Sequence, residues 1–293
     1  MENQDQISNT AVYLKNYPNV KAFLAGSFSG MISAISLQPF EVIKTRLQNP
    51  LYKHKSKHSH SGPENIRHIL SNILREGHIR ELWIGTWPSL LRTVPGVGIY
   101  FCSLNFMKSH FFIDKLPNPL ENIAMGVIAR CTGDSILMPL TVVKTRVESG
   151  MYSYRSVFYA IKEIHHTEGV RGLTRGIVPM LMRDMPYSGL YYMFYSQSKQ
   201  LVPKDFLNSS YSSLIHGACA ASSSILSSII THPPDVLKTR MQLYPYEFKG
   251  LWSAIVHIKA HDGFFGYFKG FLPRMMRRSF VSVISWTVYE RIS

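Results

Sequence analysis

Pro39-Phe40-Glu41-Val42-Ile43-Lys44-Thr45-Arg46 returns as Pro139-Leu140-Thr141-Val142-Val143-Lys144-Thr145-Arg146 and once more as Pro233-Pro234-Asp235-Val236-Leu237-Lys238-Thr239-Arg240. The first prolines stand 100 and 94 residues apart. One such octet marks no more than a turn or a helix end. Three at regular spacing mark an internal repeat, in which each unit buries its apolar face against its neighbours. Each octet follows a stretch of small and apolar residues and precedes a glycine-punctuated element. That element runs from Glu168-Gly169 to Arg175-Gly176 in the second unit and from Asp262-Gly263 to Lys269-Gly270 in the third. In the first unit it runs from Glu76-Gly77 to Trp83-Ile84-Gly85, one residue longer and without the basic residue. The chain divides accordingly into a tail at 1–19 and repeats at 20–112, 113–204 and 205–293.

Two long segments fall in every repeat: Val20–Leu47, Trp87–Phe111, Leu120–Val147, Ile177–Leu201, Ser210–Gln242 and Phe271–Ile292. Each reaches the roughly 20 residues that a bilayer requires. The even-numbered segments are only moderately apolar. Backbone groups in lipid must be paired within the protein, so a crossing segment is a helix and its polar residues face a watery interior. This accounts for a mean hydropathy of −0.02. The octet prolines predict a kink in each odd helix, because the ring removes a backbone hydrogen bond and crowds the preceding turn. Gly26 and Gly30 lie one turn apart and permit a close helix approach, the matching positions being Gly126 with Arg130 and Ala220 with Ser224, and simple packing accounts for the motif.

The formal charge of +14 points to a partner rich in negative charge, be it nucleic acid, anionic lipid or an anionic solute. Cys102, Cys131 and Cys219 are odd in number and far apart, which suggests neither a disulfide framework nor a metal site. Met1 to Thr10 is polar and slightly acidic, unlike a secretory signal or an Arg-rich presequence, so targeting information is expected within the chain.

The octets with their downstream glycine pattern resemble the signature of the mitochondrial carrier family, from about Val20 to Glu290. Thr141 departs where the second acid belongs, and Thr174 where an aromatic does. The resemblance implies an all-α membrane protein with six transmembrane helices in three pseudo-symmetric two-helix repeats, multi-pass in the mitochondrial inner membrane, with no cofactor and no enzymatic activity. It implies a matrix gate of interhelix ion pairs, Glu41 with Lys144 and Asp235 with Lys44, braced by Gln48 and Gln242. Lys238 lacks its acid there, and Glu148 departs from the bracing glutamine. The cytoplasmic gate is degenerate: Lys108 and Lys199 keep the base, Asn105 and Ser196 replace acids, and the sixth helix keeps Tyr289-Glu290, from which Glu290 is expected to reach Lys108.

Between the gates an ionisable side chain near the membrane midplane is a site candidate by default. Alignment on Pro88, Pro179 and Pro273 puts Arg92, Arg183 and Arg277 at equivalent positions, with Arg278 opposite Asp184. Arg183-Asp184 resembles the contact pair of amino-acid carriers. A zwitterion offers a carboxylate to an arginine and an ammonium to a carboxylate. Asp184 is the expected ammonium partner, with Arg183 or Arg278 on the carboxylate; Asp134 is either a second interior acid or the neutraliser of Arg130. Further stretches, among them Val94 to Phe101, Met241 to Pro245 and Trp286 to Glu290, resemble family members that import glycine into the matrix for the first step of haem synthesis. Another small neutral amino acid is the alternative substrate. The chain is expected to be monomeric, with cardiolipin or another anionic lipid as partner.

A nucleic-acid binder is prompted by the charge and by Lys53-His54-Lys55-Ser56-Lys57-His58-Ser59-His60. No recognition motif accompanies that run, a solvated or lipid-facing loop explains it, and the repeats are left over. An enzyme is weaker still, since His165-His166 project from different sides of a helix and no nucleophile or phosphate-cradling loop appears.

Overall fold

Each octet opens a new helix at a break in an older one. The computed structural model describes residues 18–49, 66–75, 79–111, 119–203, 212–248 and 250–292. Residues 1–17 of the tail, the basic loop at 53–60 and Glu76-Gly77 lie outside them. The first repeat contains α1 (Pro18–Ser36), α2 (Gln38–Gln48), α3 (Ile66–Arg75) and α4 (Thr86–Phe111). The second contains α5 (Pro119–Ile136), α6 (Met138–Glu148), α7 (Val157–Leu173) and α8 (Ile177–Leu201). The third contains α9 (Ser212–Ile230), α10 (His232–Leu243), α11 (Leu251–Asp262) and α12 (Phe271–Ile292).

The odd helices break at Leu37, Leu137 and Thr231, with the octet proline in the first turn of the second half, where its missing N–H removes no bond that the helix needs. Between α5 and α6 the axis turns by 65°. Packing follows a closed ring, α1 on α4, α4 on α5, α5 on α8, α8 on α9, α9 on α12 and α12 back on α1, while α2, α6 and α10 meet one another at one end. The glycine stripe serves α1 against α4: a Cβ on Gly30 would lie 2.6 Å from Thr93 Cγ2, and one on Gly26 3.3 Å from Val97.

The polarity of the ring is inverted relative to a water-soluble bundle. Ser27, Ser29, Ser33, Ser223, Ser224, Ser227 and Ser228 are buried, whereas Phe28, Ile128, Ile136, Met182, Leu226 and Ile230 are exposed on the same or neighbouring helices. Such an arrangement buries polar hydroxyls and presents hydrocarbon outwards, which suits lipid as the surrounding solvent. No single described helix is long and apolar enough to cross a membrane on hydropathy alone; only the bent pair α5–α6 is. The spans are therefore mixed in composition because one face of each looks into the ring.

The last basic residue of each octet ties the bundle to the connecting elements outside the spans. Arg46 reaches Glu81 at 2.8 Å, Arg146 reaches Glu168 at 2.6 Å, and Arg240 reaches Asp262 at 2.5 Å. Gly169 and Gly263 follow two of those acids with φ of 68° and 64°, turning the chain where an L side chain would be strained. Burial pushes the Asp262 carboxyl up, but the Lys269 ammonium that donates to it and the Arg240 guanidinium outweigh this and hold it below the usual carboxylate range. A lowered folded pKa contributes stability that is complete above the unfolded value and fades as pH falls through the folded one. Asp262→Asn is expected to lower stability by about 3 kcal/mol at neutral pH, because Arg240 is left buried without its acid. Thermal unfolding in detergent should show the gap to wild type closing below about pH 4.

Candidate functional site

Where α2, α6 and α10 converge, the octets place their charges in one layer. Lys144 Nζ lies 3.0 Å from Glu41, and Lys44 Nζ lies 2.6 Å from Asp235, so the two pairs implied by the repeat are formed between helices. Asp235 is 1% exposed and also meets Arg183 at 2.8 Å and Arg274 at 3.4 Å. Removing water from a carboxylate is costly, and three cations, Arg183 among them with a direct hydrogen bond, offset it here. Arg274 escapes the sequence reading although it is 5% exposed and also donates to the Thr231 carbonyl; its signal lay one residue after Pro273.

The even-helix arginines obey the same cyclic rule. Arg277 pairs with Glu41 at 3.0 Å and Arg183 with Asp235, each reaching the octet acid of the next repeat in the cycle. Arg92 would meet position 141, where a threonine stands, and pairs instead with Asp134 at 3.2 Å. Arg130 shares that carboxylate from one turn away, also at 3.2 Å. Asp134 therefore both neutralises Arg130 and lines the interior, since it borders a cavity of 310 Å³ with Arg92, Arg130 and Tyr100.

Two glutamines are placed differently from the expectation. Gln48 donates to the Lys269 carbonyl and Gln242 to the Arg175 carbonyl, each at 3.3 Å, rather than bracing the ion pairs. The cause is backbone geometry. Gly270 and Gly176 follow those carbonyls with φ of 77° and 83°, and a Cβ on either would sit 3.1 to 3.3 Å from the Lys44 or Lys238 carbonyl, so the strand of chain presses against the helix. Gly85 makes the third such approach, beside Glu148. A glutamate cannot donate to the Ile84 carbonyl, and Gln38 supplies the missing donor: its Nε2 reaches Ile84 O at 2.9 Å and Glu148 Oε1 at 2.8 Å. Glu148 also accepts from Thr45 and lies 3.5 Å from Lys144. His232 occupies the position of Gln38 in the third repeat; Arg274 faces its Nδ1, so Nε2 carries the proton and donates to Lys269 O at 3.1 Å.

Above the layer lies a cavity of 490 Å³ bounded by Tyr100, Arg130, Asp184, Tyr187, Tyr191, Ser224, Arg277 and Arg278. Arg183 grips Asp184 with two bonds of 2.8 and 2.6 Å, so this pair is closed on itself while Arg183 also holds Asp235. Arg278 stacks 3.7 Å over the Tyr187 ring, and the rings of Tyr187, Tyr191 and Tyr195 form a stacked column along α8. That column was legible in the sequence as aromatics four residues apart. At the far end of the ring Lys108 and Lys199 are exposed. The side chains of Tyr289 and Glu290 lie outside the described residues, as does any contact from Glu290 to Lys108.

One ion-pair layer and an inner charged cavity made of three like units have a counterpart among known proteins. The model of a family described as "Mitochondrial carrier protein" matches residues 15–115, 116–206 and 209–293. This chain belongs to the mitochondrial carrier family. Curated mitochondrial carriers are similar over almost its entire length. The Xenopus tropicalis "Mitochondrial glycine transporter" is 41% identical over 94% of this chain and 90% of its own. The human "Mitochondrial glycine transporter" is 40% identical over 98% and 93%, and the Danio rerio "Mitochondrial glycine transporter A" 38% over 94% and 95%. As a mitochondrial carrier the chain is a transporter of a mitochondrial membrane.

The substitution pair at positions 38 and 148 yields a testable consequence. Gln38→Leu strands the Ile84 carbonyl and one oxygen of Glu148, and is expected to cost about 1–3 kcal/mol. Glu148→Gln in the same chain restores a donor. A double-mutant cycle on thermal unfolding should therefore show the second change recovering part of the loss from the first.

Proposed function

We propose that this carrier moves glycine across the mitochondrial inner membrane into the matrix, where it supports haem synthesis. The observation that carries the reading is identity of about 40% over nearly the full chain to carriers named for glycine transport. The chemistry of the cavity agrees. Asp184 is the ammonium partner of the solute, with Arg183 or Arg278 on its carboxylate and Arg92, Arg277 and Asp134 as further substrate-binding candidates. Because Arg183 is bonded to Asp184 and Asp235 at once, a solute that separates Arg183 from Asp184 also loosens the layer below. That is the coupling an alternating-access carrier needs, since one gate must stay shut while the other opens.

With the α2–α6–α10 layer closed, the conformer is the one accessible from the cytoplasmic side, and Glu41, Lys44, Lys144, Asp235 and Lys238 form the matrix gate with Gln48 and Gln242 fastening its rim. Lys108, Lys199, Tyr289 and Glu290 are its thinner cytoplasmic counterpart. The carrier works as a monomer, with cardiolipin or a similar anionic lipid against its basic matrix face.

The test is uptake of labelled glycine into liposomes containing the purified protein, with alanine, serine and ATP as competitors. Saturable uptake suppressed only by glycine-like solutes supports the reading. Asp184→Ala should reduce uptake at least about tenfold in a protein that still inserts. Uptake suppressed equally by alanine and serine would favour a general carrier of small neutral amino acids, and inserted protein with no glycine uptake would refute the assignment.

A further inference from the structure

The gate layer is one carboxylate short, and the shortage falls on a lysine that faces open space. Lys44 and Lys144 each take the octet acid of another repeat. For Lys238 that acid position is Thr141, whose hydroxyl donates to the carbonyl of Leu137 at 3.2 Å in its own helix. Among the described residues no carboxylate lies within ion-pair distance of the Lys238 ammonium. The residue is 8% exposed. Its side chain lines a cavity of 130 Å³ inside the layer, together with Thr141, Thr145 and Asp184. Basic side chains outnumber acidic ones nine to four around that cavity, which has room for several waters.

A buried ammonium without a counter-ion is costly, and a cavity of this sign attracts an anion. The chamber shares Asp184, Arg277 and Arg278 with the wider cavity above, so a solute entering the latter meets Lys238 by moving further inward.

We propose that Lys238, with Thr141 and Thr145 beside it, is the carboxylate subsite, and that the solute's own carboxylate provides the third ion pair that the sequence omits at Thr141. This rests on the proposed function and deepens it. The ammonium of the bound amino acid then points back to Asp184. The solute enters the gate layer itself, where the lining is charged; a methyl or larger group on the α-carbon would be pressed against desolvated ions, whereas the bare methylene of glycine is tolerated. Selectivity for the smallest amino acid follows from depth rather than from a side-chain pocket. It also links recognition to gating, because the substrate takes a place in the ion-pair layer that must rearrange for the matrix side to open.

The experiment places a carboxylate where the substrate's is proposed to go. Thr141→Asp should pair with Lys238, raise the melting temperature of the detergent-solubilised carrier and raise the KM for glycine about tenfold or more. Lys238→Gln should raise KM similarly without the gain in melting temperature. In both variants the preference for glycine over glycinamide, which lacks the carboxylate, should fall, a change that general loosening of the fold would not produce. If Lys238→Gln fails to insert, Thr141→Asp carries the test alone. Wild-type uptake of glycine with unchanged KM and unchanged glycinamide discrimination in Thr141→Asp would overturn this inference while leaving the substrate reading intact. A wild-type protein that takes up no glycine would overturn both.

Discussion

Asp235 is the point at which the three repeats are held to one another. Its carboxylate is withdrawn from water and receives Lys44 from the first repeat, Arg183 from the second and Arg274 from its own. None of the four charges is tolerable alone in that environment, so each fixes where the helices bearing the others must end. The break at Thr231 turns α10 inwards to deliver the acid. The break at Leu37 does the same for the lysine. The inner faces of α2, α6 and α10 consequently close the bundle by charge while their outer faces carry the apolar packing, and such a closure can be exchanged for other ion pairs without opening that packing.

Beneath the charges lies a backbone problem solved three times. The chain enters each even helix through a glycine in the left-handed region, at Gly85, Gly176 and Gly270, and the carbonyl just before it needs a donor from a neighbouring repeat. Gln242 and Gln48 provide one for Arg175 and Lys269. In the first repeat the donor comes from Gln38 instead, because position 148 carries an acid. The replacement is local and complete: Gln38 also accepts from Ser89 through its Oε1, so both ends of the amide are used.

The repeat architecture, the six long segments and the proline breaks were legible because each depends on spacing along the chain, whereas the ion pairs Glu41–Lys144 and Asp235–Lys44 were expected only through the family resemblance. Arg92, Arg183 and Arg277 could be aligned, yet their partners could not be read, since a pairing between repeats depends on how the ring closes. The glutamines illustrate the same limit. Their position two residues past the octet was evident, but the atoms they bind belong to carbonyls far away in the chain, and a carbonyl has no signature in the sequence. Thr141 was recorded as a departure; that Asp134 takes over its arginine needed the geometry, because the acid stands seven residues earlier, on the other side of a break. The tyrosines of α8 recur every four residues, and period alone does not tell a cavity wall from a packing face.

The serine-rich face of α9 has a mechanical meaning. Ser223, Ser227 and Thr231 turn their hydroxyls back to carbonyls one turn earlier in the same helix, at 2.6 to 2.8 Å, and so present neighbouring helices with small methylene and methyl surfaces. A face finished in this way is smooth and makes few bonds across the joint, Ser224 with Tyr187 being one. It can serve as a bearing: when α9 rolls against α8, two side-chain hydrogen bonds, Tyr187 with Ser224 and Tyr195 with His216, are what must be renewed besides dispersion contact, while the tight glycine seam between α1 and α4 stays locked.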